Sequence, residues 1–116
     1  MHFHSPFSRV TLALSVALFS TCVAADATYA KITFPPDGAK LSAMSLNHID
    51  YEVAPGSHGD HIHLYVDNRE AVILRKLSGS HPLEALPPGA HALCIKVVNK
   101  AHVPIGVEQC VKVNVE

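Results

Sequence analysis

From Lys31 onward, apolar residues recur at every second position in short runs, and clusters of Pro, Gly, Ser, Asn and Asp cut the runs apart. A two-residue period puts alternate side chains on opposite faces of a strand. The pattern predicts strands over 32–34, 46–53, 61–67, 71–77, 81–86, 90–98 and 107–115. The third is the cleanest: Ile62, Leu64 and Val66 lie on one face, and His61, His63, Tyr65 and Asp67 on the other. No stretch sustains a 3.6-residue period, and no internal repeat is present. Seven short strands at intervals of about ten residues predict an all-β fold, a seven-stranded β-sandwich in which each sheet buries one face.

The first residues follow a different pattern. Residues 1–9 are polar, with Arg9 the one fixed positive side chain; 10–20 (VTLALSVALFS) are apolar or small. Residues 21–25 then turn small, with Val23 and Ala25 at the −3 and −1 positions of a cleavage site. That order predicts a signal peptide helix over 1–25, followed by one sandwich domain over 26–116. A cut after Ala27 fits as well. The apolar run is too short to span a bilayer, which needs about 20 residues. Two alternatives stay open: a buried N-terminal helix, and lipidation at Cys22, although Thr21 stands where a smaller residue normally precedes a lipidated cysteine.

Composition narrows the partners. Nine Lys plus Arg against ten Asp plus Glu leave the chain nearly neutral, without a basic stripe interleaved with aromatics, which argues against nucleic acid. Tryptophan is absent, which argues against a carbohydrate-stacking surface. No second apolar run is long enough for a stable membrane span after signal cleavage. The expected location is therefore periplasmic or secreted, with a metal ion or another exported protein as partner. Oligomeric state is open.

Ile32-Thr33-Phe34-Pro35-Pro36-Asp37-Gly38-Ala39 resembles the first strand and turn of immunoglobulin-like and fibronectin-III-like bacterial modules. Leu86-Pro87-Pro88-Gly89-Ala90-His91-Ala92-Leu93 resembles their E–F corner, where a Tyr commonly stands at the position of His91. Three pieces are similar to a group of small exported bacterial domains that has no established activity. They are His61-Ile62-His63-Leu64-Tyr65-Val66-Asp67, Pro88-Gly89-Ala90-His91 and His102-Val103-Pro104. The resemblance implies an immunoglobulin-like sandwich; it implies no mechanism.

Cys94 and Cys110 remain once Cys22 leaves with the signal. Strands 90–98 and 107–115 should form an antiparallel hairpin. If it centres on His102, Leu93 faces Val111, Val97 faces Val107 and Cys94 faces Cys110, with both cysteines on the solvent side. An oxidising compartment makes this pair a cross-strand disulfide. Metal binding or redox chemistry by the thiols is the rival reading, without a Cys-x-x-Cys to support it.

Histidine is the unusual component. A His-x-His on a strand aims both imidazoles the same way, and two such rings can chelate Zn²⁺, Cu²⁺ or Ni²⁺. Such pairs also simply fill polar faces. In an immunoglobulin-like topology, the B–C, D–E and F–G loops share one end. They carry His58, Asp60 and His61, then His81, then His102, with His63 one pleat inside. These six residues form the candidate metal site, for Cu²⁺ or Zn²⁺. His91 should sit at the opposite end as a corner residue bonded to nearby backbone, with a functional role left open. His48 should be solvated. No catalytic motif occurs, so no catalytic residue is assigned; a hydrolytic triad of Asp60, His61 and Ser57 or Ser80 exists only on paper. The competing readings are a metal-binding domain, an interaction module without metal, and a small hydrolase.

Overall fold

The computed structural model describes residues 11–19 and 27–116. Most of the predicted signal, including Cys22 and Ala25, lies outside them. Residues 11–19 form no helix, and Leu12, Leu14, Val16, Leu18 and Phe19 are exposed. The expected signal helix is therefore not found over this stretch. So short a helix is marginal in water without a surface to pack on.

Among the described residues, eight strands rather than seven build the sandwich: β1 (Tyr29–Phe34), β2 (Ala39–Leu41), β3 (His48–Ala54), β4 (His61–Val66), β5 (Arg69–Leu74), β6 (Ser78–Pro82), β7 (Gly89–Val98) and β8 (Pro104–Val115). One sheet has the order β1-β3-β6 and the other β2-β8-β7-β4-β5. Between them pack the alternate apolar residues of both sheets, with Ile49, Ile62, Leu93, Ile95 and Val97 fully buried. Gln109 Oε1 on β8 accepts the Ile32 N–H of β1, linking the two sheets along one edge.

The additional strand, β2, runs parallel to β8 and is held by the turn before it. Asp37 Oδ1 accepts the Lys112 N–H at 2.8 Å, and the Gly38 N–H donates to the Lys112 carbonyl at 2.7 Å. Three residues are too few to display alternation, so the pattern missed it. β6 also departs from expectation. It begins at Ser78, within the stretch read as a loop, and pairs with β3 through its backbone. The β4–β5 connection is a two-residue turn in which Asp67 and Asn68 have φ of 51° and 66°. Both angles suit a type I′ hairpin, which places β5 beside β4 in the five-stranded sheet.

The β7–β8 hairpin pairs Leu93 with Val111 and Cys94 with Cys110 as expected, and the disulfide is formed. Nearer the tip the register shifts: a bulge between Lys96 and Val98 puts Val98 opposite Pro104, and the Val97–Val107 pair does not form. Cys94 is also buried rather than solvent-facing, while Cys110 is exposed.

The disulfide closes a loop of about 17 residues, which is worth roughly 3 kcal/mol in the chain-entropy model. Urea denaturation should show Cys94→Ala/Cys110→Ala less stable than the oxidised wild type by about that amount. Equal midpoints would show that the staple contributes nothing.

Candidate metal centre

β4 lies between β5 and β7, with Ile62 and Leu64 turned into the core. His61 and His63 therefore project from the outer face of the five-stranded sheet. They are nonetheless only 1 % exposed each. Gly59 brings the preceding loop close: a Cβ there would come within 2.6 Å of Val97 Cγ1 and would also collide with the Pro55 carbonyl. The Asp60 N–H then donates to the Val98 carbonyl at 2.8 Å, which fixes the entry into β4.

His102 arrives from the 99–103 turn. Asn99 Oδ1 accepts the N–H groups of Ala101 and Val103 at 2.9 and 3.0 Å. The His102 N–H donates to the Asn99 carbonyl at 3.0 Å. This cradle holds His102 at φ 63°, in the left-handed region. A non-glycine residue held there costs on the order of 1 kcal/mol or more, and such residues cluster at binding sites.

Three ring nitrogens meet. His61 Nε2 lies 3.1 Å from His63 Nε2 and 3.2 Å from His102 Nδ1, and the last two are 3.1 Å apart. Hydrogen bonds alone cannot satisfy this triangle. Each contact needs one N–H and one lone pair, and three mutually adjacent atoms cannot alternate between two roles. At least one contact must set lone pair against lone pair or proton against proton.

One outer nitrogen fixes the tautomer of its ring. His61 Nδ1 donates to Asp60 Oδ2 at 2.8 Å, so in the neutral ring Nε2 carries the lone pair. That bond also holds the Asp60 carboxyl below its usual range. His63 Nδ1 faces Glu70 Oε1 at 3.5 Å, beyond a hydrogen bond, and is a buried polar atom without a partner. Burial pushes the His63 imidazole below its ordinary value; the Glu70 carboxylate opposes this, and His61, His102 and Arg75 add to it. The arrangement can accept one cation that takes all three lone pairs, with carboxylates behind two of the rings.

Of the six candidates, the structure brings together His61, His63 and His102, with Asp60 behind them. His58 is exposed in the 55–60 loop and outside the cluster. His81 does not reach it. It lies within β6 opposite Ile49 and lines a separate cavity of about 160 Å³ with Leu64, Val72 and Leu86. β5 belongs to the sheet of β4, so the crossing to the other sheet is made by residues 75–77, and His81 is already well down the next strand. The paper triad fails as well: His61 Nε2 faces two histidines, and Ser80 pairs with Asp50 in the β3–β6 ladder. Sequence reasoning missed Glu70 and also Arg75, whose Nη1 lies 3.8 Å from Asp60 Oδ2. The Asp67-Asn68 turn was the available signal for Glu70, because it sets Val66 against Arg69 and Tyr65 against Glu70.

His48 is exposed at the surface, where its ring stacks on Phe34 at 4.8 Å. His91 is the corner residue expected: one ring nitrogen donates to the Pro87 carbonyl at 2.7 Å. The other meets Asp67 Oδ2 at 2.6 Å, and Asp67 Oδ1 accepts the Ala92 N–H. Two acceptors favour the doubly protonated ring. The Asp67 hydrogen bond, then that to Pro87, raises the His91 pKa, and the His91 bond lowers that of Asp67.

No family model matches this chain, and no curated protein matches it. Among solved structures, it is similar to fibronectin(III)-like modules of Clostridium thermocellum CbhA, with TM-score 0.62 and 14% identity over 75% of this chain and 95% of that one. It is also similar to an engineered protein, with TM-score 0.55 and 13% identity over 78% of this chain and 20% of that one. The fold is thus that of a fibronectin-III-like module. At these identities the likeness extends to the fold alone.

The His91–Asp67 bridge should leave a pH signature. The raised pKa of His91 gives stabilisation that is complete below about pH 6.5 and lost as pH rises through the folded value. The lowered pKa of Asp67 gives stabilisation present above about pH 4 and lost as pH falls through its folded value. The stability gap between wild type and His91→Gln, measured by urea denaturation, should be larger at about pH 5.5 than at about pH 9. A gap independent of pH would show that the corner ring carries no charge.

Proposed function

We propose that this chain is an exported, periplasmic or secreted domain that binds one transition-metal ion through His61, His63 and His102. The observation that carries the reading is the triangle of ring nitrogens at 3.1–3.2 Å, which hydrogen bonding cannot satisfy and a cation can. Zn²⁺ held by bonds of about 2.0–2.1 Å at tetrahedral angles sets its donors about 3.3 Å apart. A square-planar Cu²⁺ site would need one trans pair about 4 Å apart, which no pair here approaches. The spacing favours Zn²⁺ over Cu²⁺, and the protein's task is then sequestration, delivery or sensing of that ion. Asp60, and Glu70 after a small rotation, orient the rings from behind.

Calorimetric titration of the purified domain with Zn²⁺ tests this. Wild type, His58→Ala and His81→Ala should each bind one equivalent. His63→Ala and His102→Ala should bind at least about 100-fold more weakly, since each removes a ligand and loss of an outer partner alone costs 10- to 100-fold. His102 is exposed on a turn, so its variant reports on binding without a buried cavity. Equally weak binding by all five proteins would return the histidines to a polar cluster on an interaction module.

A further inference from the structure

We infer that the bound ion keeps one coordination position open, and that this position takes a small anionic donor from solution. The inference rests on the metal reading above and adds to it the class of ligand the site receives.

Three observations converge. First, the donors are limited to three: no fourth His, Cys, Asp or Glu among the described residues belongs to the group. Second, their mutual spacing is nearly equal, so they form one face of a coordination polyhedron. An ion about 2.05 Å from each nitrogen sits about 1 Å off their plane and has the rest of its sphere on one side. Four-coordinate structural sites are closed by protein, whereas a three-histidine face with a free position is the arrangement that admits an outside ligand. Third, the burial is lopsided. His61 and His63 are enclosed, but His102 is at the surface on its turn, which gives the cluster a solvent side.

The surroundings favour an anion. Three neutral imidazoles leave the full double charge on the ion. Asp60, the nearest carboxylate, is engaged by His61 and approached by Arg75. Beside the cluster, Ser57, His58, Asp60, Asn99 and Lys100 line a depression of about 500 Å³. Arg75 and Lys100 thus come from two different loops to the neighbourhood of the site, and both act on Asp60. A small anion approaching the open position from the solvent side would be attracted by the doubly charged ion and by these two exposed cations.

The test uses Co²⁺ in place of Zn²⁺ and azide as the anion. The domain loaded with one equivalent of Co²⁺ should show visible ligand-field bands. Azide should shift those bands saturably, with cobalt remaining bound on gel filtration. Lys100→Gln with Arg75→Gln should weaken the azide response a few-fold. The two readings fail separately. Absence of any protein-bound cobalt spectrum defeats the metal site itself. A protein-bound spectrum that azide leaves unchanged, or from which azide merely strips the cobalt, keeps the metal site and overturns the open position.

Discussion

Strand β4 is hydrogen-bonded on both sides, and Ile62 and Leu64 within it are buried in the core. That burial fixes the register absolutely, because a slip of one residue would exchange every inward side chain for an outward one. The exchange here would drive two imidazoles into an apolar core and take an Ile and a Leu out of it, at several kcal/mol in all by the usual scale of such burial. The parallel aim of His61 and His63 is therefore a by-product of hydrophobic packing. The fold supplies two ring nitrogens at a fixed spacing; only the ring of His102 has to be delivered.

Delivery falls to the β7–β8 tip, and there the backbone is least regular. The bulge after Lys96 moves the hairpin axis, and the Asn99 cradle holds His102 in a left-handed conformation. Each irregularity costs free energy that a plain hairpin would avoid. What they accomplish together is to bring one ring nitrogen to 3.1–3.2 Å from two others. Strain and an unsatisfiable polar triangle meeting at one point mark a place where the sequence departs from maximal stability, which is where function is expected to reside.

The parts legible in the sequence were those governed by period-two alternation or by local chemistry. The outward face of His61 and His63, the Cys94–Cys110 register and the backbone bond of His91 all followed from such rules. The parts that failed depend on long-range backbone pairing, which side-chain pattern does not encode. Ser78-Gly79-Ser80 carries no apolar alternation, yet it is strand because β3 offers it a ladder. That single misreading put His81 at the first residue of its strand, on the rim, when it is the fourth residue of β6, and added a false ligand. Likewise β2 exists because Asp37 and Gly38 hook onto Lys112, a contact of 75 residues' separation for Asp37. Glu70 was hidden for the opposite reason: its position follows from a two-residue turn, but only once that turn is known to join neighbouring strands of one sheet.

The disulfide acquires a second meaning in this light. Cys94 and Cys110 are joined to each other, which leaves imidazole and carboxylate as the donors on this face. The bond also sits part-way along the β7–β8 hairpin, below the bulge and the turn that carries His102. A covalent tie at that level shortens the free segment that must be ordered to bring His102 over β4, and so lowers the entropy lost in closing it. Regular pairing holds from Gly89–Val115 to Lys96–Glu108, and the shift comes only beyond it. The hairpin is thus stapled where its geometry is ordinary and left to bend where His102 is brought to the other two rings. A rigid base under a strained tip is what gathers three ring nitrogens when two are fixed by the core and one must come to meet them.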